Sequence, residues 1–149
     1  MKDLQDFLTL DNQLCFAIYE ANSQFTKLYS NVLQSFGITY PQYLVLLALW
    51  EKDGLTMKDL GERLNLGTGT LTPMIKRMEA NGWIKRVRMA QDERKVAIFL
   101  ESKAKTEKEN IHQAIADEVI ACQIDLHEYE QLMNQLKLLQ NKLSARTLK

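Results

Sequence analysis

The most constraining stretch of this 149-residue chain is Tyr43-Leu44-Val45-Leu46-Leu47-Ala48-Leu49-Trp50, a run without a single charge. A helix built from it is apolar on nearly every face, and such a helix is stable only in the middle of a core. Thr39-Tyr40-Pro41 marks its start, with Pro41 in a first-turn position where the missing N–H costs nothing. Asp53-Gly54 turns the chain after it. The rest of the protein has to pack around that rod.

Beyond this turn the elements come in a strict succession. Thr56-Met57-Lys58-Asp59 has the form of a capping box with Asp in the Glu/Gln place, and opens a short helix to Leu64. Asn65-Leu66-Gly67 is a turn. A second helix begins within Thr68–Pro73, with Pro73 expected near its first turn, and ends at Asn81-Gly82, where Gly82 suits a left-handed residue. Trp83–Arg88 and Lys95–Leu100 read as two strands, the second turning Val96, Ile98 and Leu100 inward. The polar connection Met89–Arg94 looks too long for a two-residue turn.

Both ends of the chain carry helical periodicity. From about Asp11 to Leu33 it runs through Leu14, Ile18, Phe25, Leu28 and Val32, and Phe36-Gly37 ends it. Toward the C-terminus, Ile111, Ile115, Val119 and Cys122 form one stripe, and Leu126, Leu132, Leu136, Leu139 and Leu143 with Tyr129 and Met133 form another. These seams are wider than a small domain needs and predict a helical homodimer interface built from both termini. The expected fold is mainly α with a small β-ribbon (α+β). It is a single domain over 1–149, with a winged helix-turn-helix at about 39–101 and dimerisation helices at about 1–38 and 102–149.

Zero net charge argues at first against a nucleic-acid partner, but the charge is not evenly spread. Residues 1–62 hold 4 Lys/Arg against 8 Asp/Glu, residues 63–95 hold 8 against 3, and residues 96–149 hold 7 against 8. An electropositive face of local charge +5 can therefore sit on a neutral protein. Helix, turn, helix and ribbon in that order place the second helix in a major groove. Thr68, Thr70 and Thr72 then meet phosphates or base edges, and Lys76 and Arg77 approach the sugar-phosphate chain. Arg86 and Arg88 flank the ribbon, and Arg94 enters a minor groove with Asp92 holding it extended. Any one of these residues alone is a helix cap or a solvated charge; the ordered set favours double-stranded DNA with a pseudo-palindromic operator.

A composition of 46% hydrophobic and 26% charged residues excludes a disordered chain. The opening Met1-Lys2-Asp3-Leu4-Gln5-Asp6 lacks signal-peptide character and no apolar run reaches the ~20 residues of a membrane span, so a cytoplasmic protein without a membrane partner is expected. Thiols are kept reduced in that compartment. Spacing alone leaves Cys15 and Cys122 as packed hydrophobes or reactive groups. No cofactor or metal is expected: His112 and His127 are far apart, and Gly67-Thr68-Gly69 precedes no Gly-Lys-Ser/Thr.

The stretches Leu60-Gly61-Glu62-Arg63-Leu64, Gly69 to Glu79 and Asp92-Glu93-Arg94 resemble the MarR family of regulators. Asn12-Gln13-Leu14-Cys15-Phe16 and Ile38-Thr39-Tyr40-Pro41-Gln42-Tyr43-Leu44 are similar to its organic hydroperoxide resistance subgroup. The likeness covers most of the chain and is weakest after about residue 105; it departs at Gly67, where the family usually has an acidic residue. It implies a repressor, not an enzyme, that senses organic hydroperoxides through Cys15. Asp11 or Asn12 would cap the Cys15 helix about one turn before the sulfur, so that the helix dipole favours the anion. The resemblance implies that Tyr29 and Tyr40 stabilise that thiolate, with Tyr19 behind them, and that Leu14, Phe16 and Trp50 favour bulky peroxides. In the two-cysteine branch of the subgroup a second Cys, from the partner subunit, resolves the oxidised sulfur, and Cys122 lies in the corresponding region. Three alternatives stand beside this reading. One is a MarR-type repressor released by a small phenolic or aromatic carboxylate, with the cysteines incidental. The others are a thiol peroxidase, disfavoured because no basic residue neighbours Cys15 in sequence, and a dimeric scaffold without DNA.

Overall fold

A computed structural model of the chain describes residues 4–147. In order, the elements are helices α1 (Leu4–Phe7), α2 (Leu14–Gln34) and α3 (Tyr40–Glu51), strand β1 (Leu55–Thr56), and helices α4 (Met57–Leu64) and α5 (Thr68–Ala80). Strands β2 (Ile84–Met89) and β3 (Asp92–Leu100) come next, then helices α6 (Ser102–Ala121) and α7 (Leu126–Thr147), and a 3₁₀ turn at Leu10–Asn12 precedes α2. Two compact units result, one up to His112 and one from Gln113 onward.

The central rod is α3. Thr39 caps it with a complete capping box: the Gln42 N–H donates to Thr39 Oγ1 and the Thr39 N–H donates to Gln42 Oε1. Val45, Leu46 and Leu49 are fully buried. The first unit also buries Leu33 of α2, Leu60 of α4, Leu71, Ile75 and Met78 of α5, Trp83, Ile84 and Ile98 of the ribbon, and Ala104 and Ile111 of α6. Asp53 ties the sheet to the turn after α3, accepting at one oxygen from the Leu100 N–H (2.8 Å) and the Gly54 N–H (3.0 Å). Gly54 has φ +75°, and a Cβ there would stand 2.8 Å from the Phe99 ring, so only glycine fits.

Four expectations need correction. The sheet has three strands, ordered β1-β3-β2, because Leu55 and Thr56 pair with Ile98 and Ala97; two residues are too few to leave a periodic signal. The ribbon is longer than its apolar part. Its strands meet at Met89 and Asp92 across the two-residue turn Ala90-Gln91, with a register break between Arg88 and Met89. Backbone pairing there needs no buried side chains, so apolar alternation ends before the strands do. Pro73 lies at the sixth residue of α5 instead of near its first turn. The carbonyl it leaves without a donor belongs to Gly69, an exposed glycine with open space around it, so water can take the bond. Finally, α2 starts at Leu14 behind Gln13, with no side-chain cap, so Asp11 and Asn12 fall in the preceding turn. Cys15 is thus the second helical residue and not a full turn inside.

The second unit contains the end of α6, a turn through Gln123 in the left-handed region, and α7. Leu126, Tyr129, Leu132, Met133, Leu136 and Leu143 of α7 are all exposed, by 37 to 74%.

Candidate nucleic-acid interface and thiol site

The pair α4–α5 is held by a tight turn. Asn65 adopts a left-handed conformation and the Leu66 N–H donates to the Gly61 carbonyl at 2.9 Å. A Cβ on Gly61 would approach the Leu66 carbonyl to 2.9 Å, so this glycine permits the turn. Helix α5 then presents Leu71, Met74, Ile75 and Met78 to the core. At about 100° per residue, Thr72 and Lys76 fall on one flank of the outward face and Thr70 and Arg77 on the other. Between the flanks stand Gly69 and Pro73, which have no long side chain. Thr68 and Thr70 are exposed, Thr72 is half-buried, and Lys76 and Arg77 are exposed. The outward face thus has a smooth centre with hydrogen-bonding and basic edges, a shape that lets the helix approach a polyanion closely.

The hairpin carries Arg88 and Arg94 in solvent. Asp92 Oδ1 accepts from the backbone N–H of Arg94 at 3.1 Å, so it shapes the turn instead of gripping the guanidinium. Arg94 also walls a groove of about 890 Å³ between α4, the start of α5 and β3. Arg86 is engaged elsewhere: its Nε and Nη2 donate to Glu79 Oε1 at 3.0 and 2.8 Å, and its backbone N–H donates to Glu79 Oε2 at 2.8 Å. These bonds hold the Glu79 carboxyl below its ordinary value.

Two further ties fix this region to α6. Lys103 lays its Nζ 4.5 Å from the Trp83 ring centroid and donates to the Asn81 carbonyl at the end of α5. Trp50 Nε1 donates to the Ala104 carbonyl at 3.1 Å. Neither Glu79 nor Lys103 stood out in the sequence. An acid seven residues before a base across a helix end has no periodic signature, and Lys103 lies twenty residues past Trp83.

Cys15 and Cys122 are both exposed and both free thiols; Cys15 belongs to the first unit and Cys122 to the second. Around the start of α2, Phe7, Leu8, Leu10, Leu14 and Ile18 are exposed as well. Tyr19 is exposed and stacks on Phe16, ring centroids 6.4 Å apart. Tyr29 and Tyr40 come together, edge to face at 5.6 Å, within a cluster that includes Phe25 and Tyr43. That cluster continues through Trp50 to His112. Cys15 and Tyr29 lie 14 residues apart on one helix, about 21 Å along its axis. No tyrosine reaches that far, so within one chain neither Tyr29 nor the Tyr40 packed on it touches the Cys15 sulfur.

A sequence profile of the SarA/Rot transcriptional regulators matches residues 27–111. The organic hydroperoxide resistance transcriptional regulator of Bacillus subtilis is 52% identical over 100 residues, which cover 67% of this chain and 68% of that protein. The transcriptional regulator TtmR of Methylorubrum extorquens is 53% identical over 97 residues; the match takes in 65% of this chain and half of TtmR's length. Among solved structures, reduced AbfR bound to DNA superposes with a TM-score of 0.83 at 38% identity, covering 97% of this chain and 98% of that one. AbfR is a protein of Staphylococcus epidermidis. Its disulfide form superposes at 0.68 with 40% identity, covering 91% and 95%.

Proposed function

We propose, from the premise that this chain belongs to the SarA/Rot family of MarR-like transcriptional regulators, that it is a DNA-binding repressor released by organic hydroperoxides. The observation that carries this reading is the placement of Cys15. Its thiol is exposed at the start of α2 among exposed apolar side chains, in a chain that is 52% identical over 100 residues to an organic hydroperoxide resistance regulator.

In the reduced state a homodimer presents two α5 helices to half-sites about 34–36 Å apart. Thr68, Thr70 and Thr72 meet base edges or phosphates, Lys76, Arg77 and Arg88 contact the backbone, and Arg94 enters the minor groove beyond the Asp92 turn. The exposed apolar residues of α2 and of α7 are the surfaces a second copy covers. Such a partner also supplies what one chain cannot: Tyr29 and Tyr40 of the second copy stabilise the Cys15 thiolate, with Tyr19 nearby.

The thiolate attacks an oxygen of the peroxide and the O–O bond breaks. Sulfur is oxidised to a sulfenic acid, and the peroxide is reduced and leaves as its alcohol. Cys122 of the second copy then attacks the sulfenic sulfur, forming a disulfide and releasing water. AbfR, solved reduced on DNA and in a disulfide form, supports this pairing of states. Effective release needs about 3 kcal/mol of coupling, a loss of affinity of roughly 150-fold.

Titrating the DNA complex with cumene hydroperoxide tests the reading. Release is expected near one equivalent per Cys15, with Cys15→Ser staying bound, and a covalent dimer on a non-reducing gel that is lost in Cys122→Ser. Release of Cys15→Ser at the same dose overturns the thiol switch.

A further inference from the structure

Its place on a basic ribbon puts Arg86 among the DNA-contacting residues, but its guanidinium faces the recognition helix. Three donors of Arg86 converge on the two oxygens of Glu79, at 2.8 to 3.0 Å. Both side chains are about two-thirds covered, at 36% and 34% exposure. Strand order β1-β3-β2 makes β2 an edge strand. The Arg86 N–H is therefore an outward-facing ladder donor that Glu79 satisfies. One carboxylate thus fixes both the backbone and the side chain of the strand that carries Arg88 onto the last turn of the helix that carries Lys76 and Arg77.

We propose that Glu79 and Arg86 form a positioning pair that sets the angle between the wing and the recognition helix, so that Arg86 acts on DNA affinity without touching DNA. This rests on DNA binding alone and not on the thiol switch. The Glu79 carboxylate, held ionised by its partner, cancels the Arg86 charge, so the pair adds nothing net to the attraction for phosphate. A fork matched to a carboxylate is also geometry that lysine does not reproduce.

The test uses a fluorescent duplex selected by the unmodified protein from a randomised pool, with affinity measured across a salt series. Removing one direct bond to phosphate flattens the log–log slope by about 0.9. Arg86→Gln and Glu79→Gln are each expected to weaken binding about tenfold, with the double substitution no worse than either alone, and with the slope unchanged. Arg86→Lys, which keeps the charge, is expected to lose nearly as much as Arg86→Gln. Thermal unfolding of each variant is run in parallel, and the loss of affinity is expected where the melting temperature stays within a few degrees of the parent. A flattened slope in Arg86→Gln, with near-parental binding by Arg86→Lys, makes Arg86 a phosphate ligand and overturns the proposal. So does tighter or unchanged binding by Glu79→Gln, which would leave the carboxylate as mere repulsion.

Discussion

Helices α3 and α7 are both rich in large apolar residues, yet they meet opposite environments. In α3, Val45, Leu46 and Leu49 have no more than 1% of their surface exposed; in α7, Leu132, Leu136 and Leu143 expose 43 to 57%. The difference lies in the pattern. Apolar residues on every side of α3 require neighbours on every side, which α2, α4 and the central strand β3 supply within the same unit. A stripe on α7 with charges beside it asks for one partner only. The rod of α3 is covered within its own unit, whereas the apolar stripe of α7 is exposed.

The strongest way to break that contrast is to charge the stripe. Leu132→Asp with Leu136→Asp should raise the homodimer dissociation constant about a thousandfold, counting four leucines across the two copies at about 1 kcal/mol each for the part of their surface that a partner newly covers. Sedimentation across a dilution series reads this out; an unchanged monomer–dimer balance would mean that the α7 stripe is covered by something other than a second copy. Next comes the rod. Leu46→Ala should cost about 3 kcal/mol in urea denaturation, because a closed core cannot collapse around the cavity. The loss should be equal at low and high protein concentration, and a loss confined to dilute samples would erase the distinction between rod and stripe.

The smallest effect concerns the edge of the unit that holds α3. Arg86 depresses the Glu79 carboxyl, chiefly through the side-chain hydrogen bond. A depressed folded value stabilises the fold above the ordinary carboxylate range and ceases to do so as pH falls through the folded value. With solvent screening the pair contributes under about 1 kcal/mol at neutral pH. The stability gap between the parent and Glu79→Gln should therefore shrink toward zero below about pH 4. A gap that persists into acid would show that glutamate acts there through packing and not through charge.

Where structure depends on neighbours in sequence, the residues are readable from the chain alone. Thr39, Tyr40 and Pro41 announce α3, and Gly82 closes α5 with φ +79°. The order of helices and ribbon rests on such punctuation. The features hidden from the sequence depend on partners distant along the chain or on solvent. Pro73 sits inside a helix at a point where Gly69, whose carbonyl loses its donor, is exposed to solvent. The hairpin closes over Ala90-Gln91 although nothing there is buried. Arg86 looks like one more base on a basic ribbon until its strand is folded against Glu79. Cys15 stands out from the sequence by resemblance alone, whereas its separation from Tyr29 is visible only once α2 is seen as one unbroken helix.

The recognition helix is fastened unevenly. Its tail is bonded to the wing through Glu79, to α6 through Asn81 and Lys103, and to the strand start through the Met78 carbonyl and the Trp83 N–H. Its tip has no side-chain cap, and added Cβ atoms at Gly67 and Gly69 would meet open space among the described residues. The arrangement is a cantilever. On the proposed reading of α5 as the helix that meets base edges, substitutions at the tip change which bases are read without loosening the mount.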